Sequence, residues 1–288
     1  MQGTGSQANP YRPENWTDFL TVCNVSLNTY IKFVDNVQIN FNHIYPDGIS
    51  DTIPMKGHID GNGAVLIDVQ SAFPESNKNP VFSLAKGSEI KNIIFQSVYL
   101  TNATALIYRA TAYSNDNTYF SDITVSGEFY NCNSVIRVEE LTGNGGYTKF
   151  NRISGNIYVR NDGINFGIIT DSNQYRAIID SNFKVDIQAE AVSLGSTNSA
   201  QYSGGNYYTG IINATSINLN RGSVDVFNLS ANVSANAANR TNSGNLSVYN
   251  SDRMSISSAV AGMAGCTEEQ LHSAEYLHSI GFPIGVEP

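Results

Sequence analysis

Apolar and polar residues alternate along most of the chain, as in Asp122-Ile123-Thr124-Val125 and Asn182-Phe183-Lys184-Val185-Asp186-Ile187. A period of two puts successive side chains on opposite faces of an extended strand, whereas a helix needs apolar positions three and four apart. The alternation also repeats. From about residue 80, five openings with an apolar or aromatic residue three before Ile align: Ile90 to Ile93, Phe120 to Ile123, Phe150 to Ile153, Tyr175 to Ile178 and Tyr208 to Ile211, at spacings of 30, 30, 25 and 33. Each opening is followed 16 to 18 residues later by a second apolar strand, marked by Ile107, Ile136, Ile168, Val192 and Val226. Between strands lie turn residues, as in Thr142-Gly143-Asn144-Gly145-Gly146 and Asn161-Asp162-Gly163, which tolerate left-handed backbone angles. Repeats of this length, with two or three short strands and no helix between them, stack as an all-β right-handed parallel β-helix. The alternative, an antiparallel sandwich, prefers two-residue hairpins and strands about every 8 to 12 residues.

A solenoid must cover its ends, because an open terminal coil exposes strand edges and core. At the N-terminus Pro13 and Glu14 precede Trp16, Phe19, Leu20 and Cys23, which fall at i, i+3, i+4 and i+7 and predict a short capping helix. Tyr30–Val34 and Val37–Phe41 alternate and supply the first coil. At the C-terminus Thr267-Glu268-Glu269-Gln270 is a capping box, Leu271, Ala274 and Leu277 share one face, and Gly281 and Pro283 follow. These predict a single helix of about three turns. The resulting division is an N-terminal segment and capping helix over 1–28, a β-helix over 29–258 and a helical tail over 259–288. Residues 230–258 are the least apolar, so the coil is expected to thin there.

Composition narrows the class. Of 288 residues only 14% are charged, while 35 are Asn, 24 Gly and 16 Tyr, which excludes coiled coils and helical bundles; 41% apolar residues exclude a disordered chain. No apolar run approaches the ~20 residues of a membrane-spanning helix, so no membrane partner is expected. With a net charge of −9 and scattered basic residues, nucleic acid is not expected as a partner either. Cys23, Cys132 and Cys266 are distant and odd in number, fitting buried structural thiols rather than a disulfide framework or zinc site. Met1–Ser6 carries neither a basic nor a hydrophobic leader, from which synthesis and folding in a cytoplasm are expected.

Certain segments also carry a resemblance. Gly3-Thr4-Gly5 with Asn9-Pro10-Tyr11, the capping helix, Tyr30-Ile31-Lys32-Phe33, Gly57-His58-Ile59-Asp60-Gly61-Asn62-Gly63 and Ile90-Lys91-Asn92-Ile93 follow one another in this order. That order resembles the opening of right-handed β-helix proteins of the GLUG and IgA-protease-associated kind, common in gut bacteria and their phages. Leu271, Tyr276-Leu277 and Ile280-Gly281-Phe282 look like the helical ending of many such chains. The resemblance covers about the first hundred residues and the last twenty. It implies a surface-exposed β-helix used for attachment or display. Together with the absence of a leader it points to a tailed-phage virion component, synthesised in the host cytoplasm.

Candidate chemistry is sparse. Asp60-Gly61-Asn62-Gly63 lacks the further carboxylates of a calcium loop and reads as a turn, so no metal is expected. Asp122, Arg152, Asp180, Asp186, Glu139 and Glu140 are the residues from which a polysaccharide-cleaving cluster would have to be built. The four histidines lack the spacing of a metal pair, no phosphate loop or nucleophile elbow occurs, and no cofactor is expected. Tyr113, Tyr119, Tyr147, Tyr202, Tyr207 and Tyr208 lie in or beside turns, where they would stack on sugar rings or anchor a protein interface, the alternative being that they fill corners of the coil. The expectation is a non-enzymatic virion tail fibre, appendage or capsid decoration, homo-oligomeric and most simply trimeric. Its partners would be other virion proteins and host cell-surface polysaccharide. A secreted adhesin is the alternative, and a polysaccharide lyase or hydrolase the third reading.

Overall fold

The computed structural model describes residues 1–43, 51–76, 78–111, 117–140, 148–171, 176–195, 204–222, 224–239, 246–257 and 262–283. The chain is a parallel β-solenoid, as the repeats require. Its strands stack on three faces, each pairing in parallel with the same face of the coils before and after. The backbone hydrogen bonds of one coil are thus satisfied by its neighbours.

The first face contains Tyr30–Lys32 and the starts of His58–Ile67, Glu89–Thr101, Thr118–Tyr130 and Thr148–Arg160, then Arg176–Ile179. The second is the longest ladder, in which Ile39, Leu66, Phe95, Val125, Gly155, Phe183, Tyr208, Phe227, Tyr249 and Gly265 lie in one register row. Successive coils along that row therefore take 27, 29, 30, 30, 28, 25, 19, 22 and 16 residues, so the solenoid tapers towards its C-terminal end. The third face runs through Ile53–Met55, Phe82–Leu84, Ala105–Thr111, Ser134–Glu140, Phe166–Asp171 and the ends of Asn182–Gly195 and Tyr207–Arg221.

The first three expected openings stand in register, Ile90 on Phe120 on Phe150. The later ones shift, because the coils shorten. Phe150 faces Ile178 rather than Tyr175, which lies outside the described residues, and Tyr208 faces Phe183. Among the second-strand markers, Ile107 pairs with Ile136, but Ile136 pairs with Ile169 rather than Ile168 and Val192 with Phe166. Val226 stacks on Tyr207, on the second face instead of the third.

Several of the asparagines are explained at the corners. Asn36, Asn62, Asn92, Asp122, Arg152 and Asp180 occupy the same bend between first and second faces, each with φ between 50° and 54°. Asn102 and Asn131 make the bend between second and third. Asn and Asp tolerate this left-handed region better than other non-glycine residues, and their short side chains bond to nearby backbone. Asn161 illustrates this, accepting from the Cys132 amide at 3.0 Å and donating back to the Cys132 carbonyl. The Asp60-Gly61-Asn62-Gly63 segment is such a bend. The Asp60 carboxylate accepts from the Asn62 amide and from the Asn92 side chain one coil away, both at 2.9 Å.

Some coils approach too closely for a side chain. A Cβ at Gly155 would lie 1.7 Å from the Val125 carbonyl oxygen of the previous coil. Gly155→Ala is therefore expected to cost about 1–3 kcal/mol, the usual range for overpacking, in a urea titration.

The N-terminal cap is the helix α1, Trp16–Val22, started by Asn15, whose side chain accepts from the Asp18 amide. Trp16 packs at 4.7 Å from Phe41 and Phe19 at 5.2 Å from Phe33, so α1 closes the core of the first coils. At the other end the ladder runs on through Met263–Cys266. The single expected tail helix is two: α2, Glu268–Leu271, with the anticipated capping box, and α3, Ala274–Ser279. Ser273 divides them, because its hydroxyl caps the Tyr276 amide and starts a new helix. Leu271, Leu277 and Phe282 are buried against Tyr207, Val224, Val226 and Val248, while Ala274 is exposed. No described helix is long and apolar enough to cross a membrane.

Candidate functional site

Alternation puts one side chain in two on the outside, and parallel register converts single outward residues into rows along the solenoid axis, one coil about 4.8 Å from the next. Two such rows lie side by side on the second face. In one, Gln70, Tyr99, Glu128, Tyr158, Asp186 and Ile211 follow one another; in the other, Ala72, Thr101, Tyr130, Arg160, Gln188 and Asn213. Tyr99, Tyr130 and Tyr158 thus form a staggered ladder, with ring centroids 5.2 Å apart for the first pair and 6.5 Å for the second.

Polar groups hold the ladder in place. The Arg160 guanidinium lies 3.8 Å over the Tyr158 ring and donates to an Asp186 carboxylate oxygen at 2.9 Å. The cation–π contact fixes the ring, and the ion pair fixes the cation. The Tyr130 hydroxyl donates to Glu128 at 2.6 Å. That bond, with burial and the Glu128 charge behind it, pushes the Tyr130 phenol from 10.0 up to about 12. Because the folded value is raised, the bond is complete below pH 10 and lost as pH rises through about 12. Subtracting a Tyr130→Phe absorbance titration from the wild-type one should isolate a step near pH 12; a step near 10 would contradict the bond. Tyr99 is 47% exposed and Ile211 49%, so the face opens to solvent at both ends of this row.

The tyrosines singled out in the sequence are differently placed. Tyr119 is 40% exposed, in an outward row of the first face between Glu89 and Lys149. Tyr207 and Tyr208 are corrections: both are buried and cannot contact an external partner. Tyr208 is sandwiched between Phe183 at 5.7 Å and Phe227 at 5.3 Å, and burial raises the pKa of its phenol. Tyr207 accepts from the Asn228 side chain at 3.3 Å and packs edge-on against Phe282 under the tail helices. Tyr113, Tyr147 and Tyr202 lie outside the described residues.

The carboxylates expected of a cleaving cluster divide among the faces. Asp122, Arg152 and Asp180 share one corner of three consecutive coils. Arg152 there grips Asp122 with Nε at 2.5 Å and a second nitrogen at 2.7 Å. Burial raises the Asp180 carboxyl, against the pull of Arg152 and Lys149. Glu139 is on the third face, bonded by Arg137 and by the Tyr108 hydroxyl at 2.8 Å. Asp186 belongs to the tyrosine ladder. The side chain of Glu140 lies outside the described residues.

Fold and surface together define a tapering parallel β-solenoid that carries an outward-facing tyrosine ladder on one face. Comparison with family models, with curated proteins and with solved structures finds no match for this chain.

Proposed function

We propose that this chain is a non-enzymatic attachment solenoid that holds neutral glycans against the tyrosine ladder of its second face. The observation that carries the reading is the staggered outward placement of Tyr99, Tyr130 and Tyr158 on consecutive coils, the first exposed and the other two half-buried. Aromatic faces take the apolar C–H faces of sugar rings, and their polar edges, with Arg160, Glu128 and Asp186, take hydroxyls. Charge favours a neutral ligand. Arg160 is already paired, Glu128 and Asp186 flank it, and the whole chain carries −9. The setting as a virion appendage rests on the resemblance of the chain's opening and ending, and antibody labelling of purified particles tests it. For the ligand, labelled protein is applied to an array of neutral and acidic polysaccharides. Selective retention by neutral glycans is expected; retention by none, or by acidic ones alone, overturns the reading.

The corner formed by Asp122, Arg152 and Asp180 favours a second reading, a polysaccharide hydrolase. Two carboxyl groups there differ in setting, Asp122 paired with the Arg152 guanidinium and Asp180 pushed up by burial. Release of reducing ends from a retained glycan, abolished by Asp180→Asn, would establish it in place of the non-enzymatic reading.

A further inference from the structure

Around the corner from the ladder, the third face carries a groove of about 410 Å³. Its walls come from four consecutive coils. Asn133, Arg137 and Glu139 line one end, Thr170 the next coil, and Ser193 and Asn218, which are register partners, the far end. These side chains end in an amide, a hydroxyl or one half of an ion pair, and they stand beside apolar surface from Phe166, Ala191 and Val192. Glu139 is held by both Arg137 and the Tyr108 hydroxyl, so a charged wall is preset and locally neutral. Thr170 lines the groove, and its hydroxyl oxygen lies beneath the surface with no hydrogen-bond partner. One rotation about the Cα–Cβ bond can turn that hydroxyl to another side of the residue.

We infer that this groove is a second binding site, taking one end of a neutral oligosaccharide through its hydroxyls rather than through ring stacking. Planar amides and the guanidinium present donors, and Glu139 and the hydroxyls present acceptors, at fixed spacing across coils, which matches adjacent sugar hydroxyls. A drug-like ligand would call for a mostly apolar lining, and an anion would call for an unpaired cation. The groove provides neither. Tyr130 and Asn133 are only three residues apart in sequence, so the groove adjoins the ladder around the bend at Asn131. The ligand class rests on the glycan reading of the second face; the site itself does not.

The test uses neutral oligosaccharides of two to six hexose units, titrated into four proteins: wild type, Asn218→Trp to fill the groove, Arg137→Ala, and a Tyr99→Ala/Tyr158→Ala double variant. Asn218 is exposed and Arg137 partly so, which leaves the core untouched. About a tenfold loss of affinity in Asn218→Trp, repeated in Arg137→Ala, is expected, with residual binding retained by the ladder variant. If Asn218→Trp and Arg137→Ala both bind every sugar as wild type does, the groove proposal is overturned, whatever the ladder does. If the ladder variant binds as wild type while Asn218→Trp does not, the groove stands and the ladder reading fails.

Discussion

Tyr208→Ala is expected to destabilise the fold by about 3–5 kcal/mol, the range for removing a buried aromatic side chain, whereas Tyr99→Ala should stay within about 0.5 kcal/mol. Both are tyrosines of the second face, and only their direction differs. Tyr208 points inward, 2% exposed, in a column where Phe183, Tyr208 and Phe227 stack coil upon coil with interplanar angles of 18° and 6°. Removing the middle ring leaves a cavity bounded by two rings that cannot close the gap, because each is fixed by its own strand. Tyr99 points outward between Val98 and Leu100, which are both buried. Urea denaturation monitored by circular dichroism distinguishes the two, and equal effects from both would mean that the assignment of inside and outside is mistaken.

The second large effect is on binding. Replacing both Tyr99 and Tyr158 by alanine is expected to weaken retention of a neutral glycan about a hundredfold, and either one alone about tenfold, with each tenfold step about 1.4 kcal/mol. The two rings stand two coils apart in one row with Glu128 between them, so their contributions should add. Arg160→Ala should cost affinity twice over, because the guanidinium no longer meets sugar hydroxyls and Tyr158 loses the cation lying over its ring. A double variant that binds as wild type does would remove the ladder from the account.

The solenoid was readable in the sequence because parallel stacking repeats the same local requirement at every coil. Ile90, Phe120 and Phe150 recur at a spacing of 30 residues and fall in register because those coils are of nearly equal length. Beyond Gly155 the coils shorten, and constant spacing no longer identifies equivalent positions. Tyr208, which the spacing aligns with Phe150, therefore stacks on Phe183, and Val226 stacks on Tyr207. Tyr207 and Tyr208 follow a Gly-Gly turn, which suggests a surface position, but the chain enters a strand at Tyr207 and both rings turn inward.

The site was legible only in part. A signal for the ladder was present, since Tyr99 and Tyr158 each sit between two core residues, and Tyr130 follows the core residue Phe129. Strict alternation sends all three outward. What sequence alone could not supply was the pairing of one coil with the next, because the bend at Ser97 adds a residue to the coil of Tyr99 and shifts its register against Thr118–Tyr130. The single tail helix failed for a local reason. Leu271, Ala274 and Leu277 keep helical spacing, but Ser273 is a stronger helix start than a helix interior residue.

The most direct test of the central claim is a crystal structure of the protein with the neutral glycan that the array retains best. The account predicts sugar rings lying on Tyr99 and its ladder neighbours, with the glycan running along the solenoid axis. Glycan bound elsewhere, with Tyr99, Tyr130 and Tyr158 bare, would contradict it.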